Sequence, residues 1–126
     1  MKLTHAWNDK RGATALEMAL TMPAFLMLFV GCIEFGIAAY AQLSLQHGVE
    51  QAARCAVINT TKCGSPSATQ LFASSQSFGL NPPASTFSVD TASACGALVQ
   101  ASYKFNLVTQ YLGKPFTITA SSCFPK

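Results

Sequence analysis

The chain has 126 residues, enough for one domain and at most a very small second one. Half of the residues are hydrophobic and 10% are charged, against roughly 25% charged in an ordinary soluble domain. The deficit is concentrated, since from Ala13 to Gln42 the only charged side chains are Glu17 and Glu34. The net charge of +3 comes from scattered residues with no Lys/Arg cluster interleaved with aromatics, which argues against nucleic acid as a partner.

Residues 1–12, MKLTHAWNDKRG, form a polar, basic leader without hydrophobic periodicity. From Ala13 to Ala41 the chain is apolar and carries no polar stripe of the kind that marks a soluble core helix. A bilayer core of about 30 Å needs about 20 apolar residues at 1.5 Å each, so residues 13–41 are expected to form one transmembrane helix. Pro23 removes a backbone donor inside it and is expected to bend it, which a membrane tolerates when neighbouring helices cover the freed carbonyl. Lys2, Lys10 and Arg11 precede the span. By the positive-inside rule they place the N-terminus in the cytoplasm and residues 42–126 in the periplasm or at the cell exterior, as a head on a single-pass membrane protein.

The helix is expected to continue beyond the membrane. Ala41, Leu45, Val49, Ala52, Ala53 and Ala56 recur at helical spacing, while Gln42, Gln46, Glu50 and Arg54 occupy another side. Glu50 and Arg54 stand four apart in the favourable orientation for an ion pair. The spacing predicts one helix from about Ala13 to about Ala56, roughly 65 Å long. Its outer half carries a narrow apolar stripe that needs cover.

Thr60 to Pro66 reads as a loop, and Ser67 to Phe78 as a short helix with Leu71, Phe72 and Phe78 on one side and Gly79 as its stop. Asn81-Pro82-Pro83 breaks the chain, and Thr86 to Thr91 suits a strand. Over Leu98 to Val108, apolar Val99, Ala101, Tyr103, Phe105 and Leu107 alternate with Gln100, Ser102, Lys104 and Asn106, the period of a half-buried strand. After a connection at Gln110 to Lys114, Phe116, Ile118 and Ala120 alternate with Thr117, Thr119 and Ser121. The expected fold class is α+β: a long N-terminal transmembrane helix continuing into a small head with a short antiparallel sheet.

Of the five cysteines, Cys32 lies in the apolar run and Cys55, Cys63, Cys95 and Cys123 in the polar half. Four cysteines in a small exported domain suggest two disulfides with three possible connectivities. Cys55–Cys63 and Cys95–Cys123 are favoured, because the first closes a local loop and the second joins two predicted strands. Zinc is the rival reading, but no C-x-x-C knuckle is present and the spacings are irregular. Neither a metal nor another cofactor is implied.

The most informative stretch is Lys10-Arg11-Gly12-Ala13-Thr14-Ala15-Leu16-Glu17. A basic leader ends in glycine, an apolar helix begins at once, and a carboxylate lies five residues on. This is the arrangement of a class III, prepilin-like signal. RGATALEMAL, the Pro-containing apolar run and GCIEFG together resemble the N-terminal pattern of the TadE-like family of the tight-adherence pilus system. The likeness covers residues 10–56 and extends loosely to the strands around Tyr103–Phe105 and Cys123.

The resemblance implies a pilin-like fold and a minor pilin-like structural subunit, with other pilin-like subunits and the pilus assembly machinery as partners. A prepilin peptidase would cut after Gly12 and leave Ala13 as the new N-terminus. Glu17 would then lie about one turn from the new ammonium, where such a glutamate is thought to pair with a neighbouring subunit's N-terminal amine. A carboxylate in the membrane costs roughly 2.5–3.5 kcal/mol on insertion scales and therefore needs a partner. The bland alternative for Glu17 is a tolerated charge that snorkels to the cytoplasmic surface.

Further along the span, Pro23, Gly31, Glu34 and Gly36 are the residues expected to act in helix packing. Glu34 has two readings, a carboxylate snorkelling to the outer interface or one packed against a neighbouring helix. Gly31 and Gly36 would let helices approach closely, although they form no G-x-x-x-G.

Two other functional readings compete. Val30-Gly31-Cys32 resembles the end of a lipobox, so a lipoprotein anchored at Cys32 is an alternative, although the apolar run continues past it. A membrane-tethered adhesin or binding module with a Ser/Thr-rich head is the other. Enzymatic chemistry finds little support: His5 and His47 form no ligand pair, no G-x-S-x-G elbow occurs, and His47 reads as a solvent-facing helix residue.

Overall fold

The computed structural model describes residues 10–107 and 114–126. The leader up to residue 9, the predicted strand end at Val108 and most of the connection from Gln110 to Lys114 lie outside those residues. Helix α1 runs Lys10–Ile58, α2 Thr60–Cys63 and α3 Pro66–Gln76; a 3-10 turn at Ala84–Thr86 leads into strands β1 Phe87–Ser93, β2 Gly96–Phe105 and β3 Phe116–Phe124. The architecture is α+β, as expected. The chain divides between Phe35 and Gly36 into two compact units.

The first unit is the N-terminal part of α1. Among the described residues the helix already includes Lys10, Arg11 and Gly12, so the last leader residues are helical. Through residues 12–33 Val30 is the one side chain that is even half-buried. α1 continues through Pro23, whose missing N–H leaves the Ala19 carbonyl without its helical donor.

In the second unit, the α1 stripe Ala41, Leu45, Val49, Ala52 and Ala53 joins Ala73 of α3 and Phe87, Val99, Ala101, Phe105, Ile118 and Ala120 of the sheet in one core. The sheet order is β1-β2-β3, antiparallel throughout. In register, Val99 faces Val89 on one side and Ser122 on the other. β2 keeps the expected alternation but runs two residues earlier than predicted. β1 and β3 each extend beyond their expected ends, to Ser93 and Phe124.

Two expectations for the connecting segments are corrected. The predicted loop at Thr60 to Pro66 contains the helical turn α2, capped by the Asn59 side chain accepting from the Lys62 N–H at 3.2 Å. α3 ends at Gln76, and its buried positions are Thr69 and Ala73, followed by Ser77 just beyond its end, while Leu71 and Phe78 are exposed. The reason is close approach: a Cβ at Gly48 of α1 would lie 2.9 Å from the Ala73 carbonyl oxygen, so only small side chains fit between the two helices. Ser65 caps the start of α3 and Pro66 occupies its first position, where the missing N–H is harmless.

Both outer sheet edges are covered by glutamine side chains. Gln42 Nε2 donates to the Thr119 carbonyl at 3.0 Å and Gln46 Nε2 reaches the Ser121 carbonyl at 3.5 Å, both on β3. Gln70 Nε2 of α3 donates to the Phe87 carbonyl of β1 at 2.9 Å. Carbonyls two apart on an antiparallel strand point to the same side, so these bonds occupy groups that would otherwise template a further strand. This also corrects the expected Glu50–Arg54 pair: Glu50 Oε1 accepts from Gln46 Nε2 at 2.9 Å. The Arg54 guanidinium instead lies 5.8 Å from the Phe124 ring centroid.

Candidate processing and assembly site

Gly12 and Ala13 occupy consecutive positions near the start of α1. A Cβ at Gly12 would meet nothing within 4 Å. Glycine in a helix interior costs about 1 kcal/mol relative to alanine, so neither packing nor backbone conformation accounts for Gly12 inside this chain. Because the helix already includes residue 12, an enzyme that holds its substrate extended would have to unwind the first turn before cutting there.

At 100° per residue, Ala13 and Glu17 lie about 40° apart around the axis, on one face, whereas Gly12 and Glu17 are about 140° apart. Glu17 is exposed. One turn further, Thr21 Oγ1 donates to the Glu17 carbonyl at 2.9 Å, a local bond that satisfies the hydroxyl without using the carboxylate. The Glu17 face is therefore open to a group from another molecule.

A Cβ at Gly31 or at Gly36 would also meet nothing within 4 Å. Glu34 is 7% exposed, in contrast to the exposed residues around it. Cys32 is a free, exposed thiol within the continuous helix.

The structure joins Cys55 to Cys63 and Cys95 to Cys123, with Cα separations of 5.7 and 6.2 Å. The first ties the end of α1 to α2. The second ties the β1–β2 turn to β3, beside Gly96, whose φ of 121° and whose hypothetical Cβ against the Phe124 carbonyl both require glycine.

His47 differs from its expected place in solvent. It is half-buried, its ring centroid 4.8 Å from that of Phe78, and its Nδ1 is buried without a hydrogen-bond partner. The Phe78 carbonyl accepts from Tyr40 Oη at 2.8 Å and from Ser44 Oγ at 3.0 Å. Sequence patterning missed this clamp, as it missed the glutamines on the sheet edges, because each is a long-range bond to a backbone group with no local signature.

A hydroxyl- and amide-lined groove of about 620 Å³ crosses the outer sheet face, with Ser88, Gln100, Ser102, Thr119 and Ser121 among its walls. It contains no titratable side chain. Among the described residues no group of His, Cys, Asp and Glu is placed to hold a metal ion.

These features define an α+β protein with a small disulfide-linked sheet and, among its described residues, one helix long and apolar enough to cross a membrane. Residues 12–54 match the family described as TadE-like protein, the family that the RGATALEMAL stretch resembles. The match begins at Gly12 and ends one residue before Cys55, so the loop, α3 and the sheet lie outside it. No curated protein and no solved structure gives a significant match to the chain.

Proposed function

We propose that the chain is a minor pilin-like structural subunit of a tight-adherence pilus, made as a precursor that a prepilin peptidase cuts between Gly12 and Ala13. The observation that carries this reading is the conjunction at the start of α1. A glycine with no role in the fold is followed by Glu17 on the face of Ala13, and the family match begins at that glycine. The match to the TadE-like family over residues 12–54 supports a place in the tight-adherence pilus system.

In this reading residues 13–41 cross the inner membrane, with the leader in the cytoplasm and the head in the periplasm. A helix apolar on all sides, whose residues 12–29 are all exposed, suits lipid or other apolar helices. Cutting converts the Gly12–Ala13 amide into a carboxylate and a free ammonium. That ammonium and Glu17 provide complementary charges on one face of the helix, about one turn apart, and the pairing of one subunit's Glu17 with another's Ala13 amine gives assembly its register. The protein is a substrate and a building element and performs no chemistry itself. The disulfides fit a head folded in an oxidising compartment.

Mass spectrometry of the protein recovered from membranes tests the proposal. An N-terminus at Ala13 supports it. An intact Met1, or a lipid on Cys32 as the first residue, overturns it.

A further inference from the structure

The Phe78–Gly79 turn is held against α1 where the apolar run ends. Tyr40 Oη and Ser44 Oγ both donate to the Phe78 carbonyl. Gly79 has φ 68°, and a Cβ there would lie 2.9 Å from Tyr40 Oη. Glycine is thus needed for both the conformation and the approach. Fixed in this way, the turn still leaves Phe78 57% exposed, beside its partner Tyr40 at 51%, and Leu43, next to Tyr40 by i,i+3 helical spacing, is 71% exposed. In a head with a formed core, three neighbouring large apolar groups left open at one place call for a partner.

The distribution of charge indicates which partner. From Gly64 to Val89 there is no Asp, Glu, Lys, Arg or His, and between Glu34 and Glu50 His47 is the one titratable side chain besides the Tyr40 phenol. The charges of the head are carried elsewhere, by Glu50, Arg54, Lys62, Asp90, Lys104, Lys114 and Lys126. A bilayer including its headgroups is about 40–45 Å thick, or about 27–30 helical residues. Counted from Ala13, that thickness ends between Ala39 and Gln42, so Tyr40 falls at headgroup level, where tyrosine is enriched in membrane proteins.

We infer that Phe78, Tyr40 and Leu43 form a membrane-seating surface, inserted into the outer headgroup layer of the bilayer that α1 crosses. This rests on the spanning reading proposed above. The Tyr40–Phe78 bond makes the seat a fixed part of the head. The uncharged Gly64–Val89 segment lets that side approach lipid without burying an ion. A subunit waiting in the membrane before assembly would keep these groups out of water.

The test is depth-dependent quenching in the full chain carrying Trp7→Phe, with a single tryptophan introduced as F78W, L43W or F25W. Each variant is reconstituted into phosphatidylethanolamine and phosphatidylglycerol vesicles containing lipids brominated high or low in the acyl chain. F78W and L43W are expected to lose about half of their emission to the high-brominated lipid, as an interfacial aromatic does, and to be shielded from aqueous iodide. F25W is expected to respond to the low-brominated lipid. If F78W and L43W are quenched by iodide and not by lipid while F25W responds to lipid, the seating surface is wrong and the span stands. If F25W also escapes lipid quenching, the spanning reading falls with it. Agreement between F78W and L43W, which perturb different elements, guards against a folding defect in either.

Discussion

Gly48 and Gly36 lie on the same helix, yet alanine at the two positions should act in opposite ways. A Cβ at Gly48 would come 2.5 Å from Ser77 Oγ and 2.9 Å from the Ala73 carbonyl oxygen. The serine can rotate, but it then gives up its buried bond to the Ala73 carbonyl, now 2.9 Å long, worth about 1 kcal/mol. The carbonyl is backbone and yields only if α3 moves, an overpacking cost of about 1–3 kcal/mol. Against this, replacing glycine by alanine within a helix gains about 1 kcal/mol. The net is a loss of about 2 kcal/mol for G48A, a fall of about 10 °C in the unfolding midpoint for a head of this size. At Gly36 the added Cβ meets nothing, so G36A should leave the midpoint unchanged or raise it by a few degrees. Thermal unfolding of the full chain in a mild detergent, followed by near-ultraviolet circular dichroism, reads both. A G48A midpoint equal to that of the unaltered protein, or equal falls in both variants, would refute the close packing of α1 on α3.

Three further outcomes are expected. Gly12→Trp should accumulate as uncut precursor in immunoblots, whereas Glu17→Ala should be cut yet fail to assemble; normal assembly of the Glu17 variant would remove the pairing role. Non-reducing peptide mapping should recover Cys55 linked to Cys63 and Cys95 linked to Cys123. The Cys95→Ser/Cys123→Ser protein should lose about 3–4 kcal/mol in urea unfolding, the loop-closure value for a separation of 28 residues, and a loss below about 1 kcal/mol would count against that value. Gln42→Ala combined with Gln46→Ala should bare the β3 edge and shift the detergent-solubilised protein toward larger species in size-exclusion chromatography, and an unchanged profile would show the glutamines to be dispensable.

The long apolar helix and the pattern at its start, on which the proposed processing site rests, are legible in the sequence because that information is local. Gly12, Ala13 and Glu17 are read along one helix, and the helix itself follows from a long apolar run flanked by basic residues. The Val99–Phe105 alternation likewise marked β2, since a strand with one buried face repeats every two residues whatever it packs on. The ends of elements were less legible. α3 was expected to carry Leu71, Phe72 and Phe78 on one side; Phe72 packs partly against the core, Leu71 and Phe78 stay exposed, and the fully buried positions are Thr69, Ala73 and, just beyond the helix, Ser77.

That reversal shows where sequence alone stops. Hydropathy ranks side chains by transfer from water, and on that ranking Phe78 belongs inside. Which groups are buried in this head is decided by the distance between α1 and α3 at Gly48, and that distance follows from how the whole chain closes over the helix. The same holds for His47, drawn from solvent by Phe78, and for the glutamines reaching the sheet edges. From its sequence this protein has its apolar helix, its junction and its strand periodicity, because each depends on neighbours a few residues away. Only the tertiary structure decides which small residues hold α3 on α1 and which aromatics stay open at the end of the apolar run, because both depend on contacts between segments about 25 to 38 residues apart.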